Sequence, residues 1–150
     1  MSSFASTSAG AHHGAATTPT SAASDTPPRY DAAALRAYAV ELLLRIGVRD
    51  DIATDVGAVL VDGDLMGHTT HGLALLADYL DQLTQGRMAK TGAPAIVHAA
   101  TVAQTWDGQR LPGPWLALRA LDTALAMAGM HGTGTVVIRR SHHIACLAAY

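Results

Sequence analysis

The chain has 150 residues, of which 49% are hydrophobic and 15% are charged, and its formal net charge is −2. This apolar content is enough for one globular domain with a core, and the charge excludes a nucleic-acid binder that neutralises phosphates through a basic face. A single cysteine, Cys146, excludes an internal disulfide framework. No apolar stretch reaches the roughly 18 residues of a spanning helix, and no signal-peptide pattern opens the chain. We therefore expect a cytoplasmic protein without a membrane partner.

Residues 1–29 are rich in Ser, Ala, Thr and Pro and contain almost no aliphatic side chains. Such a segment buries too little apolar surface to offset the entropy lost on ordering, so we predict a disordered tail. Its two histidines, His12 and His13, are expected to be solvated rather than to hold a metal ion.

Three helices are predicted to form a helical N-terminal unit over residues 30–88. Asp31 favours the start of the first helix, and apolar spacing predicts that this helix covers 31–46. A second helix is predicted over 50–67. The third, over 70–85, carries leucines at helical spacing and is predicted to begin at a threonine N-cap.

The remaining residues, 89–150, predict the start of an α/β domain. PAIVHAATVAQTWDG indicates a hairpin or two successive strands, and a helix is predicted from the Pro112 region to Met130. TVVIRR predicts a buried strand, and SHHIACLAAY predicts a helix with Ser141 as its N-cap. The predicted fold class is therefore α/β (α+β), with a helical unit followed by the beginning of a mixed sheet with flanking helices. Because the last pattern reaches Tyr150 without a cap, a truncated domain is expected.

GHTTHG, residues 67–72, separates the second and third predicted helices. A threonine N-cap would place His71 in a first helical turn, where free backbone N–H groups and the helix dipole favour a substrate carboxylate. Three interpretations stay open: an interhelical turn, an anion contact made by neutral His71, and a metal site. The pattern H-x-x-H alone is weak evidence for a metal.

RRSHHIAC places two histidines, His142 and His143, after a predicted strand, at the edge where open α/β sheets bind ligands. Histidine at such a position suits acid/base chemistry, because its ordinary pKa of about 6.5 lies near operating pH. If this segment is a helix, Cys146 lies on the same face as His143, so a Cys–His nucleophile pair is one interpretation. A cysteine among apolar neighbours is more typical of a core, and structural roles for the histidines stay open.

The glycines Gly129, Gly132 and Gly134 follow a predicted helix and precede a predicted strand. A dinucleotide-binding fingerprint has the opposite order, because it follows a strand and opens a helix. We therefore interpret these glycines as a helix end, and the predicted fold is not a Rossmann fold.

Taken together, DGDLMGHTTHG, Tyr79, WDG and VVIRRSHHIACLAAY resemble the malate/L-lactate dehydrogenase family over residues 30–150. This is a non-Rossmann group of NAD(P)-dependent 2-hydroxyacid dehydrogenases and related ketimine reductases. GHTTHG is similar to the G-H-x-S-H-G signature of the family, with Thr70 where serine is usual. SHHIAC is similar to its S-N-H-F-G signature, with the Asn, Phe and Gly replaced.

The resemblance implies an oxidoreductase that interconverts a malate-like or lactate-like 2-hydroxy acid and its 2-oxo acid with NAD or NADP. It implies that His143 is the catalytic acid/base, and that His71 and Thr70 bind substrate. Family members commonly carry an arginine for the substrate carboxylate where this chain has Leu75, so another group supplies that charge or the substrate differs. The cofactor-binding residues are expected mostly beyond residue 150.

The resemblance also implies a homodimer in the full-length form. One alternative is a catalytically incomplete N-terminal fragment, or an interaction module, of such an enzyme. A further alternative is a small histidine-based metal-binding protein.

Overall fold

The structure is a computed structural model that describes residues 28–150. Apart from its last two residues, the predicted tail over 1–29 lies outside the described residues, and so do His12 and His13. Among the described residues, the helices are too short or too polar to cross a membrane.

The structure confirms the predictions of the first two helices. Helix α1 spans Ala32–Arg45 and helix α2 spans Asp50–Leu65, and these two helices pack against each other. The carboxylate of Asp31 accepts the N–H of Ala34 at 2.7 Å, which satisfies one of the unpaired amides at the start of α1. Local capping and apolar spacing were therefore sufficient signals for this part of the chain.

The prediction of the third helix is wrong for the first half of its range. Two 3₁₀ turns, Thr69–His71 and Leu73–Leu75, precede helix α3, which spans Leu76–Thr84. Gly72, between the two turns, has φ −98° and ψ −146°, which a continuous helix does not allow, and the carboxylate of Asp64 accepts the next N–H, that of Leu73, at 2.9 Å. The histidine in this segment therefore lies in a 3₁₀ turn and not in the first turn of an α-helix.

The β-prone run forms the predicted hairpin. Strand β1 (Ala95–Ala99) pairs antiparallel with β2 (Ala103–Asp107). Helix α4 (Gly113–His131) then leads to β3 (Thr135–Arg139), which pairs parallel with β2 and packs against α4. The sheet order is β1–β2–β3, so this part is a small mixed sheet with a β–α–β connection, as the predicted α/β class requires.

Strand β3 is not the buried strand that its apolar sequence predicts. Ile138 packs against the core, but Val137, which points to the other face, is 56% exposed. The prediction was wrong because a continuous apolar run indicates burial on both faces only where both faces of the sheet are covered.

The prediction of a C-terminal helix is also wrong. Residues 140–146 are irregular, and a short 3₁₀ turn follows them. The hydroxyl of Ser141 donates to the carbonyl of His142 and caps no helix, while the N–H of His142 donates to the carbonyl of Leu111 at 3.2 Å. Ala145 has a φ of 57°, which a right-handed helix does not allow. Tertiary hydrogen bonds thus hold this segment in place of a helix.

One hydrophobic core joins the helices to the segment that follows the sheet. Leu43, Ile52 and Leu60 contribute from α1 and α2, and Trp115 and Ala145 contribute from the second half of the chain; all are buried. The predicted division into residues 30–88 and 89–150 remains a prediction about domain organisation.

Candidate active site

Two histidines from distant parts of the sequence lie side by side. The imidazole centroids of His71 and His143 are 5.8 Å apart, and the ring planes are inclined by only 23°. Both residues are exposed to solvent. The fold therefore brings together, on one surface, the two histidines that the sequence motifs single out.

Two hydrogen bonds position His143, one to its ring and one to its backbone carbonyl. The N–H of Ala145 donates to His143 Nδ1 at 3.0 Å, and the hydroxyl of Tyr79 donates to the His143 carbonyl at 2.8 Å. Tyr79 is only 1% exposed, and burial raises the pKa of its phenol, so the hydroxyl stays protonated and remains a donor. Because Nδ1 accepts a hydrogen bond, the neutral imidazole carries its proton on Nε2.

His71 is oriented by its own 3₁₀ turn. Its N–H donates to the carbonyl of His68 at 2.8 Å, and the hydroxyl of Thr70 lies 3.0 Å from His71 Nδ1. The carboxylate site predicted at a helix start is not formed, because α3 begins only at Leu76. A turn of three residues lacks the aligned row of free amides that such a site needs.

A cavity of about 460 Å³ opens beside His71. Its described lining is mostly apolar and contains neither Lys nor Arg; the residues are His68, His71, Ala145, Cys146, Leu147 and Ala148. Leu75, at the position where the family commonly has arginine, is half-buried and packs against the core. A substrate carboxylate in this cavity would therefore meet the imidazole groups of His68 and His71 rather than a guanidinium.

The pair of Cys146 and His143 proposed from helical spacing is not formed on a helix. Cys146 is 3% exposed, and it sits in the irregular segment next to Ala145, which belongs to the core. Its environment is that of a small buried apolar residue, as the alternative interpretation from its neighbours predicts.

His142 is less accessible than the histidine that follows it. It is half-buried, and burial is the main cause that lowers its pKa, opposed by the nearby Asp78 carboxylate and assisted by Arg87 and Arg110. The ring is therefore neutral at neutral pH, and its backbone N–H serves to attach the segment to the start of α4.

Asp107, the last residue of β2, anchors the segment before the histidines. It is 4% exposed, and its carboxylate lies 3.3 Å from the guanidinium groups of Arg139 and Arg140. It also accepts the N–H of Gln109 at 3.0 Å. These ion pairs connect the end of β2 to the end of β3. In the sequence, the only signal for this role is an Asp-Gly pair after a predicted strand.

Among residues 28–150, no three His, Cys, Asp or Glu side chains are grouped so that they could hold a metal ion. The hypothesis of a histidine-based metal-binding protein therefore gains no support from this part of the chain.

The sequence and the fold were compared with those of known proteins. Residues 30–150 match the family described as malate/L-lactate dehydrogenase. The chain is 30% identical to hydroxycarboxylate dehydrogenase B of Escherichia coli O157:H7 over 116 residues, which are 77% of this chain and 32% of the relative. It is also 30% identical to an L-lactate dehydrogenase of Cupriavidus necator, over 77% of this chain and 33% of that protein.

The fold gives the same assignment. The structure of malate dehydrogenase from Pyrococcus horikoshii OT3 superimposes with a TM-score of 0.77 at 26% sequence identity, over 79% of this chain and 34% of that one. The chain thus spans about a third of the length of the relatives that it matches. On the family match over residues 30–150, the chain belongs to the malate/L-lactate dehydrogenase family.

Proposed function

We propose that this chain supplies the substrate-binding and proton-handling part of an oxidoreductase that interconverts a 2-hydroxy acid and its 2-oxo acid. The family is NAD(P)-dependent, and its members include dehydrogenases of this reaction class. The observation that carries the proposal is the stacking of His71 on His143 at 5.8 Å beside a cavity. The homodimer implied by the resemblance remains a prediction.

His143 is proposed as the acid/base residue. In its neutral form Nε2–H is available to donate to the oxygen of a 2-oxo group, because Nδ1 is engaged by the N–H of Ala145. Transfer of a proton to that oxygen requires the imidazolium form, in which Nδ1 also carries a proton. The Ala145 N–H has to move away from Nδ1 when that form is made, so a small movement of this segment accompanies proton transfer.

His71 and Thr70 are proposed to bind the substrate carboxylate. The Thr70 hydroxyl and the His71 imidazole are 3.0 Å apart and both are exposed, so they present adjacent hydrogen-bonding groups. Two such hydrogen bonds orient the substrate carboxylate but bring little positive charge to it. They provide a weaker attraction for a carboxylate than the bidentate arginine that Leu75 replaces.

The described residues do not by themselves fit a dinucleotide. A phosphate would approach the start of α4, the helix that follows β2, but the carbonyl of His142 lies over that start, 2.6 Å from where a Cβ at Gly113 would be. Pro112 and Pro114 flank this position and have no N–H to donate. We therefore assign none of these residues to the NAD or NADP phosphates.

Substrate binding is tested by ¹⁵N NMR of the histidine side chains during titration with pyruvate. Pyruvate is expected to shift the signals of His71 and His143, because both rings border the proposed site. Isobutyrate, which has a carboxylate but no 2-oxo group, is the control ligand and is expected to shift His71 alone. Unchanged signals of both rings at saturating pyruvate contradict the proposal.

Turnover is tested with NADH or NADPH and pyruvate or oxaloacetate, followed by nicotinamide absorbance. If the chain is active, His143→Gln is expected to lower kcat by about 10²- to 10⁴-fold, the range for loss of a general acid/base. The partial coverage of the relatives favours the second candidate, a catalytically incomplete part of such an enzyme. Pyruvate binding without turnover supports that candidate, and an active His143→Gln variant contradicts the assigned role.

A further inference from the structure

We propose that Gly113 and Gly63 are positioning residues, because their missing side chains set how closely His143 and His71 approach each other. Gly113 starts α4 and lies directly beneath the segment that carries His143. A Cβ at this glycine would lie 2.6 Å from the His142 carbonyl oxygen and closer still to that of His143. Such distances are far below van der Waals contact, so a methyl group cannot be added without moving one of the two segments.

Of these two segments, α4 is the one that cannot move. Gly113 stands between two prolines that are almost completely buried, and Trp115 in the same turn donates from Nε1 to the Asp51 carboxylate of α2 at 3.0 Å. Leu116, also buried, is part of the core. The segment over 140–146 is irregular and partly exposed. A side chain at position 113 therefore displaces the histidine segment and leaves the helix in place.

Gly63 has the same role under the other histidine. It is buried in α2, and a Cβ there would lie 2.9 Å from the His71 carbonyl oxygen. The same Cβ would lie 3.2 Å from the Cβ of Cys146, which follows the residue whose N–H binds the His143 ring. One missing side chain on α2 thus allows both histidine-bearing segments to rest on this helix.

The two glycines determine the geometry on which the His143 ring depends. The bond from the Ala145 N–H to His143 Nδ1 requires the 143–145 backbone to keep its present path, which includes the left-handed φ of 57° at Ala145. If position 113 pushes this backbone outward, the bond is lost and Nδ1 and Nε2 become alternative sites for the proton. The inference rests on the proposed function only for what the imidazole pair does. The geometry itself can be measured without turnover.

The experiment compares Gly113→Ala and Gly63→Ala with Gly129→Ala in the full 150-residue chain. Gly129 lies on the same helix as Gly113, and apart from the neighbouring backbone of that helix a Cβ there meets no described atom within 4 Å, so it is a matched control. Histidine ¹⁵N shifts give the tautomer, a scalar coupling across the Ala145-to-His143 hydrogen bond reports that bond, and an NOE reports contact between the imidazoles. Circular dichroism monitors the fold.

In the unsubstituted chain and in Gly129→Ala we expect one tautomer, with the proton on Nε2, together with the coupling and the NOE. Gly113→Ala is expected to keep the helical circular dichroism but to lose the coupling and to show a mixture of tautomers. Gly63→Ala is expected to keep the fold and to lose the NOE between the rings.

Two results overturn the proposal. The first is a folded Gly113→Ala variant that retains the coupling and the single tautomer, since the glycine then does not control the ring. The second is unfolding of both alanine variants while Gly129→Ala stays folded, since these glycines then act in general packing. Loss of dehydrogenase activity alone tests the proposed function and leaves this geometric result unaffected.

Discussion

Tyr79 shows how a single buried polar group fixes a functional side chain. Its phenol is almost completely buried, and its hydroxyl donates to the His143 carbonyl at 2.8 Å while lying 3.4 Å from Nδ1 of the same residue. A buried hydroxyl without a partner is costly, so this bond holds the histidine backbone against α3. The interaction joins residues 64 positions apart and therefore exists only in the folded chain.

Tyr79→Phe is predicted to lower the free energy of unfolding by about 0.5–1.5 kcal/mol, the usual net value of one intramolecular hydrogen bond. The phenyl ring keeps the packing, so the change measures the hydroxyl and the carbonyl that it leaves unpaired. Urea unfolding followed by circular dichroism is the measurement. Tyr38→Phe, at a tyrosine that is 56% exposed, is the control and should change stability by less than about 0.5 kcal/mol. Equal effects of the two substitutions contradict this account.

At the scale of secondary-structure elements, a cluster of charges around one tryptophan joins α2 to α4. Two guanidinium groups lie over the Trp115 ring, that of Arg49 at 5.1 Å from the ring centroid and that of Arg119 at 5.8 Å. Arg119 also pairs with Asp55 of α2 at 2.6 Å. Because Trp115 is only two residues from Gly113, this cluster also holds the helix start on which the His143 segment rests.

The Asp51 carboxylate makes this junction dependent on pH. Its hydrogen bond with the Arg49 guanidinium, assisted by the Trp115 N–H, lowers the pKa of Asp51 from 3.8 to about 2. Since the folded pKa lies below the unfolded one, the stabilisation is complete above about pH 4 and is lost as the pH falls towards about 2. We therefore predict a decrease in the urea midpoint over this interval.

Asp51→Asn is expected to remove part of that decrease, because the amide can still accept from Trp115 but carries no charge to titrate. Asp50→Asn removes a charge from the same end of α2 and is the matched control. A series of urea midpoints between about pH 5 and about pH 2 distinguishes them. If both variants lose stability with falling pH as steeply as the unsubstituted chain, the Arg49 pairing of Asp51 does not contribute.

At the scale of the whole molecule, the described surface carries many large apolar side chains. On α4 alone, Met130 is 72% exposed and Leu125 is 60% exposed, and Leu147 beside the cavity is 74% exposed. The open face of β3 adds Val137. Scattered exposed apolar residues are normal, but this many on a small chain predict self-association in water.

The 150-residue chain is predicted to bind an apolar fluorescent dye while folded and to associate as its concentration rises. The double substitution Leu125→Gln and Met130→Gln should reduce both effects without loss of helical circular dichroism. Analytical ultracentrifugation gives the association. Ala37→Gln adds a polar side chain to an exposed position of α1, on a different helix, and should leave association unchanged. Unchanged association of the double variant shows that α4 is not the surface involved.

The elements that could be predicted from the sequence depend on short-range signals. Asp31 caps α1 three residues along the chain, and the period of the leucines and alanines in α4 is visible in its own sequence. The hairpin and β3 follow from β-prone runs in the same way. The motifs containing His71 and His143 marked the candidate site, because histidine is the usual acid/base group at neutral pH.

Contacts between distant residues decided the rest, and local propensity does not contain them. The non-helical backbone of Gly72, next to the Leu73 N–H that binds the Asp64 carboxylate of α2, interrupts the third predicted helix, and the bond from His142 to Leu111 holds the last segment outside a helix. The sequence by itself determined the main elements, the identity of the two histidines and the family motifs. Only the tertiary structure determined their separation, the tautomer of His143 and the need for glycine beneath it, because each depends on backbone segments that meet after folding.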